Sequence, residues 1–355
     1  MNDGDMKERT KRSIELGMEW LLSQEQQISK ISDFAAHYKA PYLMAVTGQR
    51  ERSAHYAELL EKSYLREDGD FRMSAGVKGW QHMPASPGNR YIYGNGWAIA
   101  GLQKIGAYGA VAKALPFIQK FQDPKTGGFC SRYDIATQKV DPSRMDTSCT
   151  CSALLALLAC GRFEEAVKAG DFLVRMIEDQ PQRDRYFFTT YEAGKGIFTD
   201  VFHNEDATAF NSRKHYCVST EKDALYEIVW FLGMPMKLLG NLYDLTCDRK
   251  YLEAADAYFK FFNKLSEGRW HNNSGTKIMW GAAELYALTG REDYREAAER
   301  YLTWLLDSQH EQGVWVHSLW YKSLEEQPFQ ATLDLVQEYI SEFSDVLYSL
   351  SRIHN

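Results

Sequence analysis

The feature that most restricts the fold of this chain is a helical hairpin that recurs along its whole length. The segment GREDYREAAERYLTWLLDSQHEQGVWVH (290–317) sets Tyr294, Ala297, Ala298, Tyr301, Leu302, Leu305 and Leu306 at helical spacing, then closes on a glycine–aromatic step. The same design appears in DRKYLEAADAYFKFFNKLSEGRWHN, AYGAVAKALPFIQKFQDPKTGGFCS and RERSAHYAELLEKSYLREDGDFR. A weaker copy is GRFEEAVKAGDFLVRMI, and the opening KERTKRSIELGMEWLLSQEQ makes a sixth. Each alternates with a more apolar helix: DFAAHYKAPYLMAVTG, YGNGWAIAGLQKIG, DTSCTCSALLALLACG, ALYEIVWFLGMPMKLLGNLYDLTC, TKIMWGAAELYALTG and QEYISEFSDVLYSLSRI. Helices apolar on most faces belong inside, and their amphipathic partners outside.

Six outer–inner pairs can stack as an open solenoid or close into a ring. The end helices carry no dedicated polar cap, and the inner ones are rich in Gly, Ala and Ser, which suits crowding about an axis. The expected fold is an all-α, single-domain (α/α)6 toroid over residues 1–355. Inner-to-outer links such as TGQRE and LTGRED are tight, whereas outer-to-inner links mostly run to roughly 20–45 residues, far above the usual median. The long loops therefore share one face, at the amino-terminal ends of the inner helices, where free N–H groups favour negative charge. Loops held over a rigid scaffold are where function usually sits.

Several function classes are set aside by composition. The net charge of −7 is modest and the basic residues are scattered among acids, so a nucleic-acid footprint is missing. The opening MNDGDMKERTKR is polar where a signal peptide needs an apolar stretch. LYEIVWFLGMPMKLLGNLY is broken by Glu227, Lys237 and Asn241, too soon for a membrane span. Six cysteines without regular spacing fit reduced thiols, and the expected location is the cytoplasm. No zinc pattern completes Cys149 and Cys151, and no phosphate loop or dinucleotide fingerprint is present, so no metal or cofactor is expected. A homo-oligomer remains open.

The starts of the inner helices collect a polar and aromatic set: Asp33, His37, Tyr38 and Lys39; Tyr91, Tyr93, Asn95 and Trp97; Asp141, Arg144, Asp146 and Cys149; Glu221, Asp223, Tyr226, Glu227 and Trp230; Lys277 and Trp280; Gln337, Glu338, Tyr339 and Glu342. Asp146, Asp33 and Asp223 also suit helix caps, and the aromatics also suit a core. Together they have the makeup of a small-molecule pocket. Cys130 and Cys149 stand beside charged residues that can tune a thiol. The long segment 179–222, with His203 and His215, is a candidate lid.

The hairpins ending in TGGFCS, EGRW or QGVW resemble the α/α-toroid superfamily of terpenoid cyclases and protein prenyltransferases over essentially the whole chain, although the Asp-x-Asp-Asp run and the zinc-holding Asp-x-Cys pair are missing. Sugar epimerases and unsaturated glucuronyl hydrolases share much the same ring. Locally, GGFC with Cys130, DTSC with Cys149 and SDFAAHY with Asp33 resemble linalool dehydratase-isomerase, with Asn95 standing where that family has histidine. That resemblance implies a cofactor-free acid–base enzyme, a dehydratase, isomerase or cyclase, acting on a hydrophobic terpenoid or aromatic alcohol. Asp146 or Asp33 would then move the proton, Cys130 and Cys149 relay it, and His37 with Tyr93 orient the hydroxyl. Tyr38, Tyr91, Asn95, Trp97, Arg144, Tyr226, Trp230, Trp280 and Glu342 would line the substrate. The alternative is a carbohydrate enzyme, an epimerase or glycoside hydrolase, using Asp146 with Glu221, Asp223 or Glu227 and stacking sugars on Trp80, Trp97, Trp230, Trp270, Trp280 or Trp315. A non-catalytic helical scaffold is the third reading.

Overall fold

The computed structural model describes residues 3–73, 78–79, 90–202 and 212–352; Trp80 and His203 lie outside the described residues. Among the described residues, twelve barrel helices alternate between an outer and an inner layer. The outer ones are α1 (Asp3–Ser23), α3 (Arg50–Leu59), α5 (Tyr108–Gln119), α7 (Phe163–Glu178), α9 (Arg249–Asn263) and α11 (Glu292–Asp307). The inner ones are α2 (Ala40–Val46), α4 (Tyr93–Lys104), α6 (Thr147–Ala159), α8 (Trp230–Thr246), α10 (Thr276–Thr289) and α12 (Phe329–Ser351). Each inner helix packs on the next, and α12 returns to α2, which closes the ring. The chain is an (α/α)6 toroid.

The two layers follow from residue pattern. Helix α7 buries one face through Ala166, Ala169, Phe172, Leu173 and Met176, while α6 is buried along Thr147–Leu157. Each large apolar side chain taken from water contributes about 1.5–3 kcal/mol. Tight turns at the narrow face use helix-end chemistry: Asp248 caps α9 by accepting from the Lys250 N–H at 3.1 Å, and Gly290 ends α10 at φ 69°.

Close approach of the inner helices depends on glycine. A Cβ at Gly233 would lie 2.2 Å from the Lys277 carbonyl carbon, and one at Gly96 would lie 2.2 Å from the Ser152 carbonyl oxygen. Both neighbours are backbone, so they cannot swing away. Gly233→Ala is therefore expected to cost about 1–3 kcal/mol in urea unfolding by prising α8 from α10; an unchanged midpoint would show that the helices have room.

The wide face departs from an all-helical expectation. Strands β1 (Cys130–Asp134), β2 (Lys139–Asp146), β4 (Thr190–Glu192) and β5 (Gly196–Ile197) form one antiparallel sheet in that order, and β3 (Tyr186–Phe188) pairs with β6 (Cys217–Ser219). Strand β2 runs directly into α6, so the end of the sheet fixes that helix's first turn. These loops are built structures. Among the described residues no helix is long and apolar enough to cross a membrane.

Candidate active site

Five ionisable side chains meet where α2, α10 and α12 begin. Asp334, Glu338 and Glu342 stand one turn apart along α12, so they share a face. Lys39, just before α2, holds Asp334 at 2.9 Å and also pairs with Glu338. Lys277, in the first turn of α10, reaches Glu338 at 2.5 Å and also holds Glu342. Lys39, Lys277 and Glu342 are each at most 2% exposed, whereas Asp334 and Glu338 are partly open. The result is a charged floor beneath a more accessible edge.

Aromatic rings wall this floor. Trp97 and Trp280 stack with centroids 5.9 Å apart, and the Lys277 ammonium lies 5.5 Å from the Trp97 ring. Trp280 is fixed by its indole N–H, which donates to Asp345 at 3.1 Å. Tyr93 packs against Tyr38 at 6.3 Å and Trp230 at 5.8 Å. Across the mouth, Trp320 stacks on His215 at 5.8 Å, packs on His317 at 6.0 Å and receives the Lys214 ammonium at 4.0 Å.

Burial opposes every charge here, and pairing decides which survive. Lys39 and Lys277 are desolvated, yet their acids hold both above the usual lysine value. Glu338 is also disfavoured by burial, but its two ammonium partners pull it down to about 2. Glu342 has one ammonium and a neighbouring carboxylate, so burial and repulsion prevail and lift it to about 7. Its Oε2 lacks a well-aligned hydrogen bond, with the Thr276 hydroxyl beside it. Burial lowers His317 to about 4. A buried ion network is weak support for stability, and perturbed groups in a cleft point to chemistry.

Several residues from the sequence set lie elsewhere. Asp33 caps a 3-10 turn by accepting from the Ala35 N–H at 2.9 Å. His37 lies 3.0 Å from the Ile31 carbonyl through Nε2, which must carry the proton because a carbonyl only accepts. Its ring packs on Tyr56 and Tyr64 in the outer layer. Tyr91 and Asn95 belong to a buried knot around Asp70: the Tyr91 hydroxyl donates at 2.6 Å, the Asn95 amide at 3.0 Å, and Lys78 pairs with the same carboxylate. Tyr91→Phe is expected to lower stability by about 1.5–3 kcal/mol, the loss of a bond to a charged group. Unchanged turnover at saturating substrate would accompany it if the knot is purely structural; lost turnover with full stability would place Tyr91 in the chemistry.

Asp146, Cys130, Cys149 and Arg144 gather on the other side of the mouth. Asp146 accepts from the Cys149 N–H at 2.8 Å and the Ser148 hydroxyl at 2.5 Å, capping α6. Burial pushes the Cys130 thiol up to about 12 and raises Cys149 strongly, with Asp146 adding to both, so neither favours the thiolate. Tyr226 is 59% exposed, away from the floor. Of the other acids, Glu227 forms a bidentate pair with Arg213, Glu221 pairs with Arg185 at 2.6 Å, and Asp223 accepts from the Leu225 N–H at 3.1 Å. Trp315 donates to the Leu305 carbonyl within the core, and Trp270 packs on Phe262 of the outer layer. Tyr38, Tyr93, Trp97, Trp230, Trp280 and Glu342 are the substrate-lining set that does converge. Asp334, His317 and Trp320 have no place in the sequence reading.

No protein-family model matches this chain, and no curated protein sequence matches it significantly. Solved structures do resemble it. A D-mannose isomerase superposes with TM-score 0.65 at 14% identity, covering 90% of this chain and 88% of its own. An unsaturated glucuronyl hydrolase specific for heparin gives 0.62 at 10%, covering 99% and 98%. A cellobiose 2-epimerase from Bacillus thermoamylovorans gives 0.57 at 10%, covering 88% and 87%. These names overturn the terpenoid or aromatic-alcohol dehydratase and cyclase expectation, since they concern sugars. The partly open carboxylates Asp334 and Glu338 add a physical reason, because an apolar substrate lying over them would displace their water without replacing its hydrogen bonds. At such identities the likeness extends to architecture, and the chain has the α/α-toroid fold of these sugar enzymes.

Proposed function

We propose that this protein is a carbohydrate-active enzyme of the proton-transfer type, an aldose–ketose isomerase or a sugar epimerase. The observation that carries the reading is the sharing of Lys277 by Glu338 and Glu342, one turn apart on α12. Glycoside hydrolysis by two carboxylates needs them on either side of the scissile bond, about 5–5.5 Å apart for retention or 6.5–9.5 Å for inversion. Two acids on one helix face, bridged by one ammonium, suit a different task. Moving a proton next to a carbonyl needs a base near neutrality and a cation for the enediolate oxygen on the same side.

In this mechanism the open-chain sugar lies against the partly exposed Tyr93 and Trp230, above the buried Trp97–Trp280 stack. Glu342, once ionised, takes the C2 proton through Oε2. The electron pair moves into a C1–C2 double bond, and negative charge develops on the carbonyl oxygen beside Lys277. Glu342 then returns the proton to C1 while the O2 hydroxyl proton passes to O1, giving the ketose, or returns it to C2 after the enediolate has turned about C2–C3 to present its other face, giving the epimer. Trp230, Tyr93 and Trp320 hold the sugar and exclude water. Incubation with an aldose panel and with disaccharide glycosides tests the class: ketose or epimer formation from free aldoses is expected, and release of monosaccharide from glycosides without isomerisation would replace it with hydrolysis.

A further inference from the structure

A hollow of about 360 Å³ lies on the outer wall of the ring, within the size range of small-molecule sites. Trp270 and His271, on the 3-10 turn Glu267–His271 after α9, form one side, and Arg300, Thr303, Trp304 and Asp307 of α11 form the other. None of them belongs to the charged floor or to its aromatic walls. Trp304 is partly exposed, and His271 and Tyr301 meet its ring at 85° and 81°, so no ring among the described residues is stacked on it. Asp307, three residues on, shares that side of the helix. Arg9 pairs with Asp307 Oδ1 at 2.5 Å, and Oδ2 takes no bond among the described residues. Arg300 donates through Nη2 to Glu267 at 2.8 Å and rests 4.4 Å from the Trp270 ring, which leaves its other N–H groups uncommitted among the described residues. Trp270 itself is 6% exposed, and its buried indole N–H meets no acceptor among the described residues. A desolvated donor of that kind is uncommon in a wall that nothing else completes.

An aromatic face beside an acceptor and two kinds of donor sets the ligand class. The ring face carries negative charge density, which suits the C–H edges of a pyranose. Sugar hydroxyls both donate and accept, so they can use Asp307, Arg300 and the Trp270 N–H together. An apolar ligand would strip water from these groups without replacing it, and an anion would meet the Asp307 carboxylate. We infer that this hollow is a second saccharide site, outside the barrel, holding a closed pyranose ring against Trp304. It takes no part in proton transfer, so it stands or falls separately from the isomerase or epimerase reading.

Saturation-transfer NMR titrations of the full chain with methyl glucoside, methyl mannoside and methyl cellobioside test this, because their locked anomeric carbons cannot open to the aldehyde that the floor needs. At least one of the three is expected to bind, and Trp304→Ala should weaken it at least fivefold while turnover of free aldoses stays within twofold of wild type. Asp307→Asn, at a largely exposed position, should weaken it several-fold and keeps the test decisive if the first variant does not fold. Binding of none of the three glycosides, or an unchanged dissociation constant in both variants, overturns the site. Binding lost in Glu342→Gln but kept in both hollow variants would place the glycosides at the floor and overturn it equally. Failure of the proton-transfer reading is read separately, as no conversion of free aldoses by a protein that still binds the glycosides.

Discussion

Lys277→Met is expected to cost about 3–5 kcal/mol of folding stability, the usual penalty for stranding buried charge. The ammonium is nearly inaccessible and holds two carboxylates of α12 at once. Its loss takes from Glu342 the ammonium that it pairs with and leaves Glu338 paired with Lys39. The double variant Lys277→Met, Glu342→Leu should recover a substantial part of the loss, because replacing both members of a buried pair by apolar groups removes the desolvation penalty. Urea unfolding of the two variants measures the difference. Equal destabilisation of the single and double variants would mean that the pair is not coupled.

Glu342→Gln should lower kcat by about 10²–10⁴, the range a positioned acid–base group supplies, with the fold retained. The pH dependence carries a separate signature. In the native state Glu342 titrates near 7, above its ordinary 4.5, so the folded chain binds more protons than the unfolded one in between. Its contribution to stability is thus most favourable below 4.5, declines as pH rises to about 7, and then levels off, a change of about 3 kcal/mol. Glu338 has the opposite sign, since its carboxyl is held down to about 2; its contribution is complete above 4.5 and is lost only as pH falls toward 2. Turnover should climb over the same 4.5–7 window in which the Glu342 contribution declines, because ionised Glu342 is the base. Glu342→Gln should remove both trends. A wild-type profile flat from pH 5 to 8 would take Glu342 out of the proton transfer.

The ring was legible because each hairpin repeats its own pattern. Alternating apolar and amphipathic helices, and short links against long ones, leave few arrangements besides a toroid with its loops on one face. The strands were not legible: KVDPSRMD, with Pro142 inside it, lacks clean alternation, and its pairing with β1 and β4 is a tertiary event. Position at a helix start gathered Tyr93, Trp97, Trp230, Trp280 and Glu342, but position says little about direction. His37 and Asp33 stand at the same level and face the outer layer or their own turn, because a 3-10 segment does not share the period of the helix after it.

Helix α12 begins at Phe329, eight residues before the apolar segment QEYISEFSDVLYSLSRI, and Asp334 lies in that added stretch. Asp334, Glu338 and Glu342 at four-residue spacing along one helix were the available signal, and their cations on two other elements could not be inferred from spacing. His317 and Trp320 lie between helices, where no periodicity fixes a side chain.

The most direct measurement is proton NMR of an accepted aldose in D₂O with wild-type protein and with Glu342→Gln. Loss of the C2–H signal with the wild type, reduced at least a hundredfold in the variant, is the expected result. Product formation by the wild type with C2 protium fully retained would show that no solvent-exchanging base acts at that carbon, and an unchanged rate of exchange in Glu342→Gln would contradict the role given to this carboxylate.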